Sequence, residues 1–272
     1  MLYNLVDRIY ISYIPDVGTL ALTGLGVCLP IILLVSAFAA LCASSGAPLA
    51  SIAMGQRNNE KAEGILGSCT ALLLCVSAVL TVVLFCFYTP ILLAFGATED
   101  ALPYAQRYIA IYSLGTVFVQ LSLGLNPFIT AQGFSKAGML TVLIGAVLNT
   151  LLDPLFIFVF HMGMAGAALA TITGQILSFA LVVFYLRGFK TLPLSLSDLK
   201  PKIACWARIA ALGATPAFNQ VAMMVVQIVM NNTLTYYGSN SVYGSDIPLA
   251  CAGIISKVNM LFFSFVIGIS QG

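Results

Sequence analysis

The chain has 272 residues, of which 60% are hydrophobic and 7% charged, with a formal net charge of +2 and a mean hydropathy of +1.03. Soluble domains run at about 45–50% apolar and about 25% charged, so 11 Lys/Arg and 9 Asp/Glu leave too few ionised groups to coat a water-soluble fold of this size. Disorder, collagen-like repeats, a disulfide scaffold and nucleic-acid binding are excluded on the same composition, and the expected solvent is the bilayer.

A membrane-crossing helix needs roughly 20 predominantly apolar residues, and eight runs read as candidates. In chain order they fall at residues 1–14, 20–53, 62–88, 103–130, 137–160, 164–186, 203–236 and 248–272. Pro15-Asp16 makes a turn after the first, and the second is long enough to tilt or kink at Pro30. A polar connection holding Arg187, Lys190, Asp198, Lys200 and Lys202 separates the sixth from the seventh. The predicted fold class is therefore all-α and polytopic, with about eight transmembrane helices, multi-pass in the plasma (inner) membrane.

Orientation follows from the excess of Lys and Arg in short cytoplasmic loops. One set of alternate connections holds Arg57, Lys61, Lys136, Arg187, Lys190, Lys200 and Lys202, with Arg208 just inside the seventh span; the opposite set holds Arg107. The 56–63 loop is expected in the cytoplasm, and the acidic connections at Glu99-Asp100 and Asp246 outside, so the first span runs outward. That span is short for a crossing and carries Asp7 and Arg8, and the last one stops inside an apolar run; the chain reads as a piece of a larger membrane protein. No secretory h-region with a small-residue cleavage pattern stands at the start.

A weak internal repeat pairs Tyr3-Asn4 and Leu20-Ala21-Leu22-Thr23-Gly24 with Phe218-Asn219 and Leu249-Ala250-Cys251-Ala252-Gly253. It predicts a six-helix lobe over 1–190, a cytoplasmic linker over 191–202 and the start of a second lobe over 203–272. Internal repeats of this kind are a transporter signature, with the substrate site between the halves.

A charge retained inside a span is costly and marks a functional site by default. The candidates are Asp7, Arg8, Asp153 and Lys257. Asp153 lies within the fifth span in Asn149-Thr150-Leu151-Leu152-Asp153-Pro154. Asn149 and Asp153, four residues apart, share a helix face, and Pro154 cannot donate to the Thr150 carbonyl, which frees an acceptor beside them. A carboxylate, an amide oxygen and a loose carbonyl suit a small hard cation or a proton; the competing reading has Asp153 capping a broken helix or paired with a cation such as Arg8. Asn126-Pro127 repeats the amide-and-proline pattern and reads equally as a plain kink satisfied by a neighbour. Thr171 could add a hydroxyl to an inward site, although threonine commonly bonds its own helix. Lys257 would snorkel, pair with an amide, or face a hydrated cavity.

Other chemistries find no support. The seven cysteines sit in or beside apolar runs without a C-x-x-C and read as small hydrophobes. The single His161 has no H-E-x-x-H partner, and no P-loop occurs. No enzyme activity and no cofactor are expected. Gly163-x-x-Gly166 and the alanine-rich sixth span predict close helix packing.

Tyr3-Asn4-Leu5-Val6-Asp7-Arg8-Ile9-Tyr10-Ile11, Leu20 to Gly24, Asn126-Pro127 with Gln132-Gly133, Asn149-x-x-x-Asp153-Pro154 and the run from Gly163 to Gln175 together resemble the multidrug and toxic compound extrusion (MATE) family. The resemblance covers essentially the whole chain, with its motifs in the right order. It implies a twelve-helix protein of two six-helix lobes, of which this chain would hold the first lobe and two helices of the second. It further implies alternating access, export of small organic cations in exchange for Na⁺ or H⁺, membrane lipid as the surrounding partner and a monomeric state. By the same resemblance Asp7, Asn149, Asp153 and Thr171 would be the coupling-ion residues, holding Na⁺ if that is the ion; Asn126, Pro127, Pro154 and Lys257 are, on the residues themselves, the candidate cavity or kink residues. A lipid-linked oligosaccharide flippase of the same superfamily is the alternative within transport, although it would want more cationic lining than Arg8 and Lys257 supply. An intramembrane aspartyl enzyme built on Asp7 and Asp153, and a fragment without activity of its own, are the remaining alternatives.

Overall fold

The computed structural model describes residues 2–14, 17–188, 203–242, 244 and 246–271. Eight α-helices follow one another, and no β-strand occurs among the described residues. They are α1 (Leu2–Ser12), α2 (Gly18–Gly55), α3 (Asn59–Ala94), α4 (Leu102–Ala131), α5 (Ser135–Pro154), α6 (Met164–Gly188), α7 (Ile203–Ser239) and α8 (Asp246–Gln271), with a π-helical turn at Leu155–Val159 continuing α5. Each falls on one predicted span. The predicted turn at Pro15-Asp16 and the linker at 191–202 lie outside the described residues.

The bilayer explains why nearly every residue is helical: only a helix satisfies its own backbone in the absence of water. Six of the helices, α2 to α7 with α5 extended by its π turn, are long and apolar enough to cross a membrane. At 11 residues α1 is too short to do so. Helix α8 runs for 26 residues. The eight predicted spans are thus eight helices, six of which meet the length and apolarity of a crossing among the described residues. Pro30 and Pro48 are both accommodated inside α2, and the bend of α3 falls at Phe87 (φ −121°, ψ 16°), three residues before Pro90.

Large apolar side chains such as Val79, Leu151 and Phe184 stand exposed on the outside, as expected where lipid is the solvent. Lipid tails are as apolar as leucine, so helix association depends on close packing and hydrogen bonds. Small residues supply the closeness. A methyl group on Gly24 of α2 would come within 3.1 Å of the Ala105 nitrogen of α4, one on Gly115 would meet Ile172, and one on Gly124 would meet Leu73. Helix α4 is central, packing against α2, α3, α5 and α6. Gln120 stitches it to α2, its Nε2 donating to the Val35 carbonyl at 3.2 Å.

Helices α7 and α8 lie against α2. Near one end the Trp206 indole N–H donates to the Ser68 carbonyl at 3.0 Å. At the other a clasp forms: Asn232 Nδ2 donates to Ala94 O and the Thr235 hydroxyl to Gly96 O, both at 3.1 Å. There too, the Thr98 hydroxyl donates to Asp246 Oδ1 at 2.7 Å, and the Thr23 hydroxyl to the Asp246 carbonyl at 3.1 Å. The two weakly repeated segments, in α2 and α8, thus belong to helices that pack on each other.

Candidate functional site

Of the predicted residues, Asp7, Asn149 and Asp153 are buried and Thr171 is half-buried. They come from three helices, and local sequence brings them together. Gly145 and Gly174 let α5 and α6 touch backbone to backbone: a methyl on Gly174 would lie 2.7 Å from the Gly145 carbonyl oxygen and 3.1 Å from Asn149 Cβ. Asn149 and Thr171 sit about one turn from that contact, which places the Asn149 amide against the α6 backbone.

The Asn149 amide can be placed two ways. In one, Nδ2 donates to Asp153 Oδ1 at a long 3.5 Å. In the other, Nδ2 donates to Asp7 Oδ1 at 3.0 Å and Oδ1 accepts from the Thr171 backbone N–H at 3.3 Å. The second satisfies both ends of the amide, and amide orientation is assigned by the network it completes. Asn149 then bridges α1, α5 and α6, with its oxygen engaged by α6, so its part is to hold Asp7 in place.

The Asp153 carboxyl lies within hydrogen-bonding reach of the Asp7 carboxyl. Two ionised carboxylates so placed repel each other, and a shared proton or a bound cation relieves the repulsion. Asp153 Oδ2 and Thr171 Oγ1 are buried without a hydrogen bond of good geometry, with the Tyr108 hydroxyl beside Thr171. Buried polar atoms are ordinarily paired, and each exception calls for an explanation such as an ion. Oxygen atoms from two carboxylates and a hydroxyl are a donor set suited to a hard cation.

Pro154 closes α5, and the chain continues in the π turn, where Phe160 N–H bonds the Leu155 carbonyl five residues back at 3.0 Å. Single π turns recur at functional sites, and this one begins directly after Pro154. The Gly163-x-x-Gly166 pair divides its work. Gly163 takes a positive φ of 53° in the turn before α6 and has open space about it. Gly166 carries the close packing, a methyl there coming within 2.8 Å of the Phe156 carbonyl group.

A cavity of about 150 Å³ opens between α4, α5 and α6, with Asn126, Pro127, Thr141, Asn149, Thr171 and Gln175 among its lining. Drug-sized ligands occupy pockets of about 300–1,000 Å³, so this volume suits water and an ion. Asn126 is a helix tie, its Nδ2 donating to Gly138 O at 2.9 Å and to the Thr141 hydroxyl at 2.7 Å. The amide is thus satisfied by the neighbouring helix. Lys257 belongs to α8, and its side chain lies outside the described residues.

Sequence reasoning missed Tyr108, buried beside Arg8 and Thr171, and the Ser122–Gln175 bond between α4 and α6 at 2.7 Å. Tyrosine in an apolar helix gives no signal of its own. Gln175 closed the Gly163 to Gln175 motif and could have been singled out as an amide inside a span.

The chain is similar to proteins already known. The MatE family model matches residues 1–155. The chain is 26% identical over 274 residues to "Multidrug export protein MepA" of Staphylococcus haemolyticus (strain JCSC1435), covering 100% of this chain and 58% of that protein. It is 32% identical over 146 residues to "Probable multidrug resistance protein YpnP" of Bacillus subtilis (strain 168), covering 54% of this chain and 33% of the other. Among solved structures, one of the MATE multidrug transporter DinF-BH superposes with a TM-score of 0.87 at 31% identity, over 95% of this chain and 56% of that one. The chain thus spans little more than half the length of the relatives it matches over its whole extent.

Proposed function

This chain belongs to the MatE family of multi-pass membrane proteins, and on that premise we propose that it serves cation-coupled export of small organic cations. The N-terminal lobe over 1–190 holds the coupling ion, Na⁺ or H⁺, and the helices over 203–272 open the second lobe. The observation that carries the reading is the meeting of Asp7 and Asp153 from separate helices, with Asp153 Oδ2 and Thr171 Oγ1 buried and without a hydrogen bond of good geometry. Asn149 fixes the geometry by holding Asp7 from one side and α6 from the other.

The mechanism follows from charge. With the site empty, two carboxylates oppose each other in a low-dielectric interior, and α1 and α5 are driven apart. A cation or proton between them draws the helices together, and a ligand shifts such an equilibrium by its differential affinity for the two packings. An organic cation, too large for the 150 Å³ cavity, binds outside it and favours the packing that the coupling ion disfavours. Exchange follows.

The test places the purified chain in proteoliposomes loaded with ethidium, with Na⁺ and pH gradients imposed separately and Asp153→Asn alongside. Equilibrium Na⁺ binding and proton uptake are measured on the same preparations in detergent. Efflux that follows one gradient, with cation binding lost in Asp153→Asn, supports the reading. Cation binding unchanged by Asp153→Asn refutes it.

A further inference from the structure

Asp7, Arg8 and Asp153 are the buried charged side chains among the described residues; Arg57, Lys61, Arg107, Lys136, Arg187 and Arg208 are all exposed. Arg8 is only 3% exposed, and its Nε, Nη1 and Nη2 make no hydrogen bond. With Asp7, Leu25, Leu29 and Tyr108 it lines a cavity of about 10 Å³, room for about one water. Helix α8 closes over it at Gly253, where a methyl group would come within 2.8 Å of Nη1. A buried guanidinium without hydrogen bonds is held by the field of nearby charge. The described carboxylate that supplies that field is Asp7, next to it and lining the same cavity, and Asp7 in turn meets Asp153.

We infer that Arg8 is a fixed counter-charge that restricts the Asp7–Asp153 site to one monovalent cation per cycle, a specificity-determining role for the coupling site proposed above and resting on that reading. Two carboxylates and one guanidinium leave a net charge of −1. One Na⁺ or one proton neutralises it. A divalent ion, or a second monovalent one, would leave the buried cluster at +1, and uncompensated charge in a low-dielectric interior is strongly disfavoured. Without Arg8 the cluster stands at −2, which matches a divalent cation.

The experiment uses the purified chain in detergent and Mn²⁺ as the divalent probe, free Mn²⁺ being counted by its paramagnetic resonance signal. Wild type is expected to exclude Mn²⁺, and Arg8→Gln to bind one equivalent at least about tenfold more tightly, the factor carried by one adjacent unit charge. Arg8→Gln combined with Asp7→Asn, restored to −1, should exclude it again. Arg8→Lys, which keeps the charge and stands in should the neutral variant fail to fold, should behave as wild type. Mn²⁺ binding to wild type or to Arg8→Lys as tight as to Arg8→Gln overturns the inference, as does an Arg8→Gln protein that still refuses Mn²⁺. The site itself is tested separately: Asp153→Asn alone must remove monovalent-cation binding. Where it does and Arg8→Gln leaves the cation class unchanged, Arg8 loses its role and the coupling site stands. Where it does not, both fail.

Discussion

Replacing Gly174 with alanine probes the contact on which the site is built. The added methyl would lie 2.7 Å from the Gly145 carbonyl oxygen, 0.7 Å short of the 3.4 Å at which such contacts become ordinary. The obstacle is backbone, so α5 and α6 must separate by about that amount. The same displacement stretches the 3.3 Å bond from the Thr171 N–H to the Asn149 amide to about 4.0 Å, beyond hydrogen-bonding range. Forced repacking costs about 1–3 kcal/mol, and a buried amide oxygen left without a donor about 1–3 kcal/mol more. Alanine returns about 1 kcal/mol in helix propensity, so the clash outweighs the gain. The assay follows thermal unfolding in detergent through the reactivity of the buried Cys28, Cys42 and Cys69, with cation binding measured in parallel. A lower melting temperature together with weaker cation binding is expected. Wild-type stability and affinity in Gly174→Ala would show that the two backbones are not in contact there, and the account of how Asn149 is positioned would fall with it.

Asn126→Leu removes two hydrogen bonds between α4 and α5 and should lower stability by about 1–2 kcal/mol. Cation affinity should stay within about twofold; a larger loss would move Asn126 from scaffold to site. Gln175→Leu deprives the Ser122 hydroxyl of its 2.7 Å partner but leaves it the Val119 carbonyl at 3.1 Å, so the cost should be near 1 kcal/mol, read from the same thermal unfolding. Cysteines introduced together at Thr98 and Asp246, whose side chains meet at 2.7 Å, should cross-link under mild oxidation. A pair that stays reduced would show that the clasp is open in the membrane.

Much of this was legible because the bilayer makes strong demands of a sequence. Helix number and order could be read from apolar run length, and Asp7 and Asp153 stood out because charge inside a run is rare and expensive. Asn149 followed from its four-residue spacing to Asp153. Thr171 did not, since a threonine can bond its own helix, and the family resemblance brought it in. The neighbour relations stayed hidden. Helices such as α2, α4 and α6 are apolar on every side, so no polar stripe tells the lipid face from the inner one. Hence Tyr108 looked like any core aromatic, and the two readings of Asn126, site or helix tie, stayed level until Gly138 and Thr141 were seen to satisfy it. The Gly163 and Gly166 pair shows the same limit: spacing suggested one packing motif, while backbone conformation gave one glycine to a turn and the other to a helix contact.

Trp206 is the chain's single tryptophan, and its indole bonds α3 from the first turn of α7. Tryptophan emission therefore arises from one known place, at the seam between the six leading helices and the two that follow. Parting of the seam would strip the indole of its carbonyl partner and let water reach the ring, shifting its emission to the red; a motion confined to α1, α5 and α6 would leave the colour unchanged. The protein carries its own optical probe for telling a rearrangement among α1, α5 and α6 from a movement of α7 and α8 against the helices before them.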